Sequence, residues 1–417
     1  MSTYLCKMNK EEKERTESLE LYERMKQRLY SKEPLFGDGS PFSELLQTMV
    51  NKMLEGEADH HIENELLIGK KNKRNGYTKK QVITQSGPIE VNTPRDRNST
   101  FEPELIGKRE KELHSGLDEQ IIALYAQGNS VEDVRRLIQK IYGIEISAGK
   151  ISQITDNVLP EIEAWKTRAL QSFYPIVYLD AIHFKVRHEG VYSTRAFYTV
   201  YSVDWAGNRD LLGLYINQSE GAYNWGLVLQ DLKKRGVEDI LVICTDNLKG
   251  FSETIQEEYP RAIKQKCIVH QVRSSLKYVD DKDAKKVVVA LKKIYSAPTE
   301  QAAIAAFELF KQQWGKSYGY IIEQWEQAWE ELMAFMNFGS HIRRMIYTTN
   351  PVEALHRIIR KIVKGKAAWV SETALLKQIY LALMHNEKSW KRTAYNWKSI
   401  QREIMQKYPE LINKHIR

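Results

Sequence analysis

The stretch from Tyr174 to Arg187, YPIVYLDAIHFKVR, limits what this chain can fold into more than any other segment. β-Branched and aromatic residues dominate it, which predicts an extended strand. Side chains alternate across a strand, so Ile176, Tyr178, Asp180, Ile182, Phe184 and Val186 share one face. Val177, Leu179, Ala181, His183, Lys185 and Arg187 share the other. Asp180 therefore falls on the more apolar face, where an unpaired carboxylate is costly and needs a cation, a donor or a metal. An ion pair with a buried Arg and ligation of a metal both meet that need.

The segments that follow extend the strand into a sheet. Ala196–Val203 and Asp210–Ile216 predict two further strands around the turn residues Asp204–Asn208. A helix over Tyr223–Arg235 carries Trp225, Val228, Leu229 and Leu232 on one side. Ile240 to Cys244 is an unbroken apolar run, the pattern of a strand covered on both faces. Asp246 lies just past its carboxyl end, where open α/β sheets hold ligands. A helix over SETIQEEY and a short strand in AIKQKCIVH complete a βββαβαβ order. From about residue 272 to 341 the periodicity is purely helical, as expected of an inserted all-α subdomain.

A late helix, TTNPVEALHRIIRKIVKGK, has Thr349 or Asn350 as its cap and Pro351 in its first turn. At about 100° per residue, Glu353, Arg357, Arg360 and Lys364 fall in a narrow arc. Val352, Leu355, Ile359 and Ile362 lie opposite. An amphipathic surface helix and an acid flanked by a phosphate-binding stripe both fit. Asp180, Asp246 and Glu353 thus occupy a first strand, a neighbouring strand end and a late helix. That placement describes a ribonuclease-H-like fold with three catalytic carboxylates. Such chemistry holds two divalent cations about 3.5–4 Å apart, and Mg²⁺ or Mn²⁺ suits oxygen ligands.

Upstream, residues 1–69 predict a charged helical region broken at Pro34–Pro41, with a helix from Phe42. Residues 70–115 form a basic hairpin and linker, in which KKNKRNGYTKK reads as a loop presenting Lys73, Arg74 and Tyr77 to phosphates or to solvent. Residues 116–170 predict a helix-turn-helix unit. Its helices start near Leu117, at the Ser130–Asp133 capping box, and at Ser147, the last running on through EIEAW. That last helix would offer Ser147, Lys150, Ser152 and Gln153 to a major groove, unless the three helices are a plain packing module. The domain plan continues with core residues 171–271, the helical insertion 272–342, closing helices 343–385 and a basic tail 386–417. The fold class expected is α/β multidomain, with the ribonuclease-H-like core interrupted by the insertion and preceded by the DNA-binding region.

Composition permits the same partner. Lys and Arg number 62 against 54 acids, a net charge of +8, which suits an anionic ligand. Cys6, Cys244 and Cys267 are too few for a disulfide framework and fit a reducing compartment. No apolar run approaches the roughly 18 residues of a membrane span, and the N-terminal stretch has no apolar signal core.

The stretches YLDAIHFKVR, GVEDILVICTDNLKGF, KCIVHQVRSSLKYV and IYTTNPVEALHRIIRK closely resemble the Mutator-type transposases of bacterial insertion sequences. NGYTKK, TPRDRNSTFEPELI and LDEQIIALYAQGNSVEDV upstream resemble them too, so the likeness runs from about residue 60 to 390. The resemblance implies a cytoplasmic, nucleoid-associated enzyme that binds its element's terminal inverted repeats, cuts DNA and joins it to a target, with a homodimer on DNA. It implies Asp180, Asp246 and Glu353 as metal ligands and a Cys-x-x-His motif on Cys267 and His270. Zinc at that motif would need two more ligands at a fitting spacing, and the sequence offers none; a local structural or DNA-contacting role is expected instead. Arg357, Arg360, Lys361 and Lys364 are expected on DNA. The chain departs from the family's usual pattern at Asn247, Pro351, Ala354 and His356. His183 has the wrong parity to share a face with Asp180 and is left out of catalysis. Trp314, Trp325 and Trp329 are candidates for stacking on an unpaired base or for packing the insertion. A DNA-binding regulator without catalysis, and another nuclease of the same fold, are the rival functions; the intact acidic triad argues against the first, and equal cleavage of unrelated duplexes would favour the second.

Overall fold

The computed structural model describes residues 19–20, 22–24, 26–28, 30–31, 39–84, 87–108, 117–142, 145–188, 190–248, 250–347, 350–363 and 366–416. The side chains of Tyr142, His188, Asn350, Pro351 and Glu353, and the whole of Cys6, Thr349 and Lys364, lie outside the described residues. The chain divides into two compact units, Met1–Asn157 and Val158–Arg417.

In the first unit, helix α1 (Pro41–Leu67) starts where Ser40 caps the amide of Ser43 and Pro41 presets the first turn. It packs on a hairpin of β1 (Arg74–Thr84) and β2 (Gly87–Asp96), with Val50 and Leu54 against Val82, Ile89, Val91 and Ile106. The basic segment expected as a loop is therefore mostly strand. Arg74 and Tyr77 belong to β1, whose ladder with β2 supplies the hydrogen bonds while the charged side chains point to water. Arg74 is also engaged: its guanidinium pairs with Asp59 at 2.6 Å and donates to the carbonyl of Glu55. Three short helices follow, α2 (Leu117–Ala126), α3 (Val131–Tyr142) and α4 (Ala148–Asp156). The capping box closes reciprocally, the Asp133 amide on Ser130 Oγ and the Ser130 amide on Asp133 Oδ2, both at 3.1 Å. The single third helix expected through Trp165 is in fact two. α4 ends at Asp156, and α5 (Leu159–Thr167) opens the second unit with Pro160, which has no N–H to continue the ladder.

The second unit is built on β3 (Phe173–His188), β4 (Val191–Val203), β5 (Arg209–Asn217), helix α6 (Ala222–Lys234), β6 (Asp239–Thr245), helix α7 (Phe251–Glu258) and β7 (Ile263–Lys266). The sheet order is β5-β4-β3-β6-β7. β3, β4 and β5 are antiparallel neighbours, while β6 and β7 run parallel to β3. One face carries Val177, Leu179, Tyr198 and Val200 against Trp225, Leu229, Phe251 and Ile255 of α6 and α7.

The chain then continues in helices: α8 (Ile268–Ser275), α9 (Asp281–Tyr295), α10 (Glu300–Met333), α11 (Ser340–Ile346), α12 (Asn350–Val363), α13 (Glu372–His385), α14 (Glu387–Trp390), α15 (Trp397–Lys407) and α16 (Pro409–His415). Several cover the second sheet face, where Tyr178 donates to the carbonyl of Met345 at 3.0 Å and Tyr201 to that of Trp390 at 2.8 Å. Trp314 and Trp325 are buried, and Trp325 donates to Ser275 Oγ, so packing and not base stacking accounts for both. Trp329 is partly covered and stacks on Phe307 at 4.9 Å. The tail is packed as well. Trp397 lies so close to Gly207 that a Cβ there would sit 2.4 Å from its ring, and His415 stacks on Phe173 at 5.5 Å.

Candidate active site

The register of β3 and β6 brings two acids together. Its last pair is Tyr178 with Cys244, and carried onward along two parallel strands it sets Asp180 level with Asp246. Asp180 still lies within β3, while Asp246 follows the last residue of β6. Asp180 is 7% exposed and its Oδ1 accepts the amide of Ala181 at 2.9 Å. Burial pushes its pKa up to about 7; the charge of Asp246 adds to that and His270 opposes it. Asp246 is raised too, again by burial, with His270 opposing. Two neighbouring carboxyls that resist ionisation are the kind of pair a cation would relieve.

Helix α12 meets this pair through His356. Its Nδ1 is 3.3 Å from Asp180 Oδ2 and its Nε2 is 2.9 Å from Thr199 Oγ1 on β4. Burial and the charge of Arg360 drive the imidazole down to a pKa of about 3, so the ring is neutral and carries one N–H. Thr199 donates to the carbonyl of Asp180, which directs the ring's N–H to Thr199 and leaves Nδ1 to accept from a protonated Asp180. With Asp180 ionised, the ring's proton belongs on Nδ1 instead and the hydroxyl turns to Nε2. Position 353 lies one helical turn before His356 on the same helix. On that helix Val352, Leu355, Ile359 and Ile362 are buried, and Arg357, Arg360 and Lys361 are exposed.

Two more residues complete the surroundings. Hydrogen bonding with Cys267 raises His270 to about 9, with burial opposing and both aspartates assisting, which sets a cation beside the carboxyls. Its Nδ1 is buried with no partner. Glu220, in the turn before α6, is raised by burial and by Asp246; its Oε1 is buried with no hydrogen bond of good geometry and its Oε2 is 3.6 Å from His183 Nε2. His183 is exposed and off the face of Asp180, as its parity requires, yet its charge acts on Asp246. His356 and Glu220 were not anticipated as site residues. His356 reads as one more position on a buried helix face, and Glu220 as a loop acid.

The sequence profile described as "Transposase, Mutator family" matches residues 15–393. The chain belongs to the Mutator family of transposases. Its function is accordingly DNA transposition. "Transposase for insertion sequence element ISRM3" of Rhizobium meliloti (strain 1021) is 38% identical over 365 residues, which is 87% of this chain and 91% of the relative. "Probable transposase for insertion sequence element" of Corynebacterium diphtheriae is 37% identical over 312 residues, covering 75% and 90%. Among solved structures, "Drosophila P element transposase strand transfer complex" aligns over 72% of this chain and 87% of its own, at 8% identity and a TM-score of 0.28.

For the transposase, Asp180, Asp246 and Glu220 offer only hard oxygen, which fits Mg²⁺ or Mn²⁺, and Glu220 Oε1 is buried with no hydrogen bond of good geometry, though the Trp225 indole acts on the carboxyl. Zinc fits poorly. Among the described residues, neither Cys267 and His270 nor Asp180, Asp246 and Glu220 fall in a group of three His, Cys, Asp or Glu ligand atoms within 4.8 Å of one another; the donor chemistry separates the two, since Cys267 and His270 offer only two of the four ligands zinc takes. The two groups that do meet that spacing, His61–Glu65–Asp96 in the first unit and Glu238–Asp239–His415 in the second, are filled by hydrogen bonds. Asn72, Thr100 and Phe101 donate to Asp96, and Lys414 to Asp239. In the first unit, Lys73 and Tyr77 are exposed, and Lys150 stands in the first turn of α4, whose Ile151, Ile154 and Thr155 are buried. No helix among the described residues is long and apolar enough to cross a membrane.

Proposed function

We propose that this transposase cuts and rejoins DNA at a ribonuclease-H-like, two-cation centre formed by Asp180, Asp246 and Glu353. The observation that carries the proposal is the register that levels Asp180 with Asp246, one buried and one half-buried carboxyl, both with raised pKa values. The strand order and the helical stretch between β7 and α12 support the fold assignment. Asp180, Asp246 and Glu353 would hold Mg²⁺ or Mn²⁺, and the bound ions would supply Lewis-acid stabilisation of the attacking and leaving oxygens in an in-line displacement. The chain's own groups do the rest. His356 and the Ala181 amide orient Asp180, and the Cys267-linked His270 offers a cationic donor beside the scissile phosphate. Arg357, Arg360 and Lys361 neutralise phosphates of the bound strand. Lys150 and the exposed Lys73 and Tyr77 belong to a DNA-binding first unit, with Arg74 serving to hold β1 on α1. The DNA is the element's own terminal inverted repeats and a target duplex, and bringing two ends together calls for a homodimer. Strand transfer with duplexes taken from the ends flanking the gene tests the centre. D180N, D246N and E353Q should each lose at least about a thousandfold in rate, and activity surviving all three would refute it.

A further inference from the structure

We propose that His356 and Thr199 are positioning residues of the transposition site. Together they aim the Asp180 carboxylate and lock the helix bearing Glu353 to the strand bearing Asp180. The proposal rests on the two-cation centre described above.

His356 is 1% exposed and Thr199 0%, so both are sealed from solvent. From α12 the imidazole reaches two strands at once, Thr199 Oγ1 at 2.9 Å and Asp180 Oδ2 at 3.3 Å. Thr199 is the cross-strand partner of Asp180 in the antiparallel register and donates to its main-chain carbonyl at 2.9 Å. Asp180 is held at Oδ2 by His356 and at Oδ1 by the Ala181 amide, and Thr199 braces it through the main-chain carbonyl or, once the carboxyl ionises and the hydroxyl turns, through the His356 ring. A carboxylate held this way presents its remaining lone pairs in one direction, which is what an outer partner does for a metal ligand. Position 353 precedes His356 by one turn, so the same contact fixes where the helix delivers that residue. Packing alone would not call for a ring nitrogen here. The neighbouring buried positions Val352, Leu355, Ile359 and Ile362 are all apolar, and a polar ring costs free energy to bury unless its nitrogens are used.

The test is Mn²⁺ binding to the full chain at about pH 8, where carboxylate ligands are ionised, read from the electron paramagnetic resonance signal of unbound Mn²⁺. The amide nitrogen of Asn overlays Nδ1 and keeps the contact to Asp180, whereas that of Gln overlays Nε2 and keeps only Thr199. H356L should bind Mn²⁺ about tenfold more weakly or worse, H356Q nearly as weakly, and H356N should regain most of the loss. T199V, close in shape to the native residue, should weaken binding by about threefold and serves if H356L does not fold. A role in packing alone predicts the reverse ranking, with H356L the best tolerated. Wild-type affinity in H356Q and T199V, or H356Q equal to H356N, overturns the proposal. D180N separates the two claims: lost binding in D180N with none lost in the His356 variants refutes positioning alone. Wild-type binding in D180N refutes the cation site and the positioning role with it.

Discussion

Asp96 and Asp180 are buried to a similar degree, 3% and 7% exposed, yet their surroundings treat a negative charge in opposite ways. Asp96 closes β2 in the first unit and accepts from Asn72, from the Thr100 amide and hydroxyl, and from the Phe101 amide. Burial alone would raise its pKa, but those donors outweigh burial and hold it well below the ordinary carboxylate range. Asp180 accepts from one amide and has a neutral imidazole, the cationic His270 and a second acid as neighbours; burial outweighs His270 and carries it up to about 7. Burial therefore does not separate a structural acid from a functional one. The inventory of donors does.

The largest expected effect breaks the pair apart by stability. D96N removes an acceptor that four donors share, and should cost about 2–4 kcal/mol in denaturant unfolding. D180N should be neutral or stabilising, because it removes a charge the fold disfavours. Equal destabilisation of the two variants would mean Asp180 is an ordinary structural acid.

A smaller effect appears in pH dependence. The folded pKa of Asp180 is raised, so its contribution to stability is full below about 4 and is lost as pH rises through about 7. Asp96 has the opposite sign: its contribution is present above about 4 and is lost as pH falls. Between these limits, melting temperatures of D180N should gain on wild type as pH rises to about 8. Mg²⁺ should stabilise wild type there, by about 2–3 kcal/mol at a hundredfold excess over Kd. It should do so neither near pH 5 nor in D180N. A Mg²⁺ effect that persists in D180N would place the ion elsewhere.

The smallest effect concerns the helix face turned away from the sheet. R357Q and R360Q should each weaken binding of end DNA severalfold and lower the slope of log affinity against log salt by about one, without moving the melting temperature. Unchanged slopes in both would remove the stripe from the DNA path.

Much of this contrast was legible in the chain. Alternation over Tyr174–Arg187 put Asp180 on a covered face, and the unbroken run Ile240–Cys244 fixed β6 and left Asp246 at its end. The stripe Val352–Leu355–Ile359–Ile362 gave the buried side of α12. What stayed hidden depends on tertiary pairing. His356 falls on the same covered side as that stripe, and only the packing of α12 on β3 and β4 turns its ring into a bridge. Glu220 sits in a turn with no periodicity to mark it. The charged start of β1 looked like a loop because its strand character comes from the β2 ladder and not from its own side chains. The break between Asp156 and Leu159 was masked by a helical pattern that runs through it, with Pro160 the overlooked stop.

The most direct test is crystallographic: anomalous diffraction from crystals of the full chain soaked in Mn²⁺. Two peaks about 3.5–4 Å apart among Asp180, Asp246 and Glu353 are expected, with none at His61, Glu65 and Asp96, whose oxygens are already hydrogen-bonded. Peaks at the Asp96 cluster and none beside Asp180 would contradict the account.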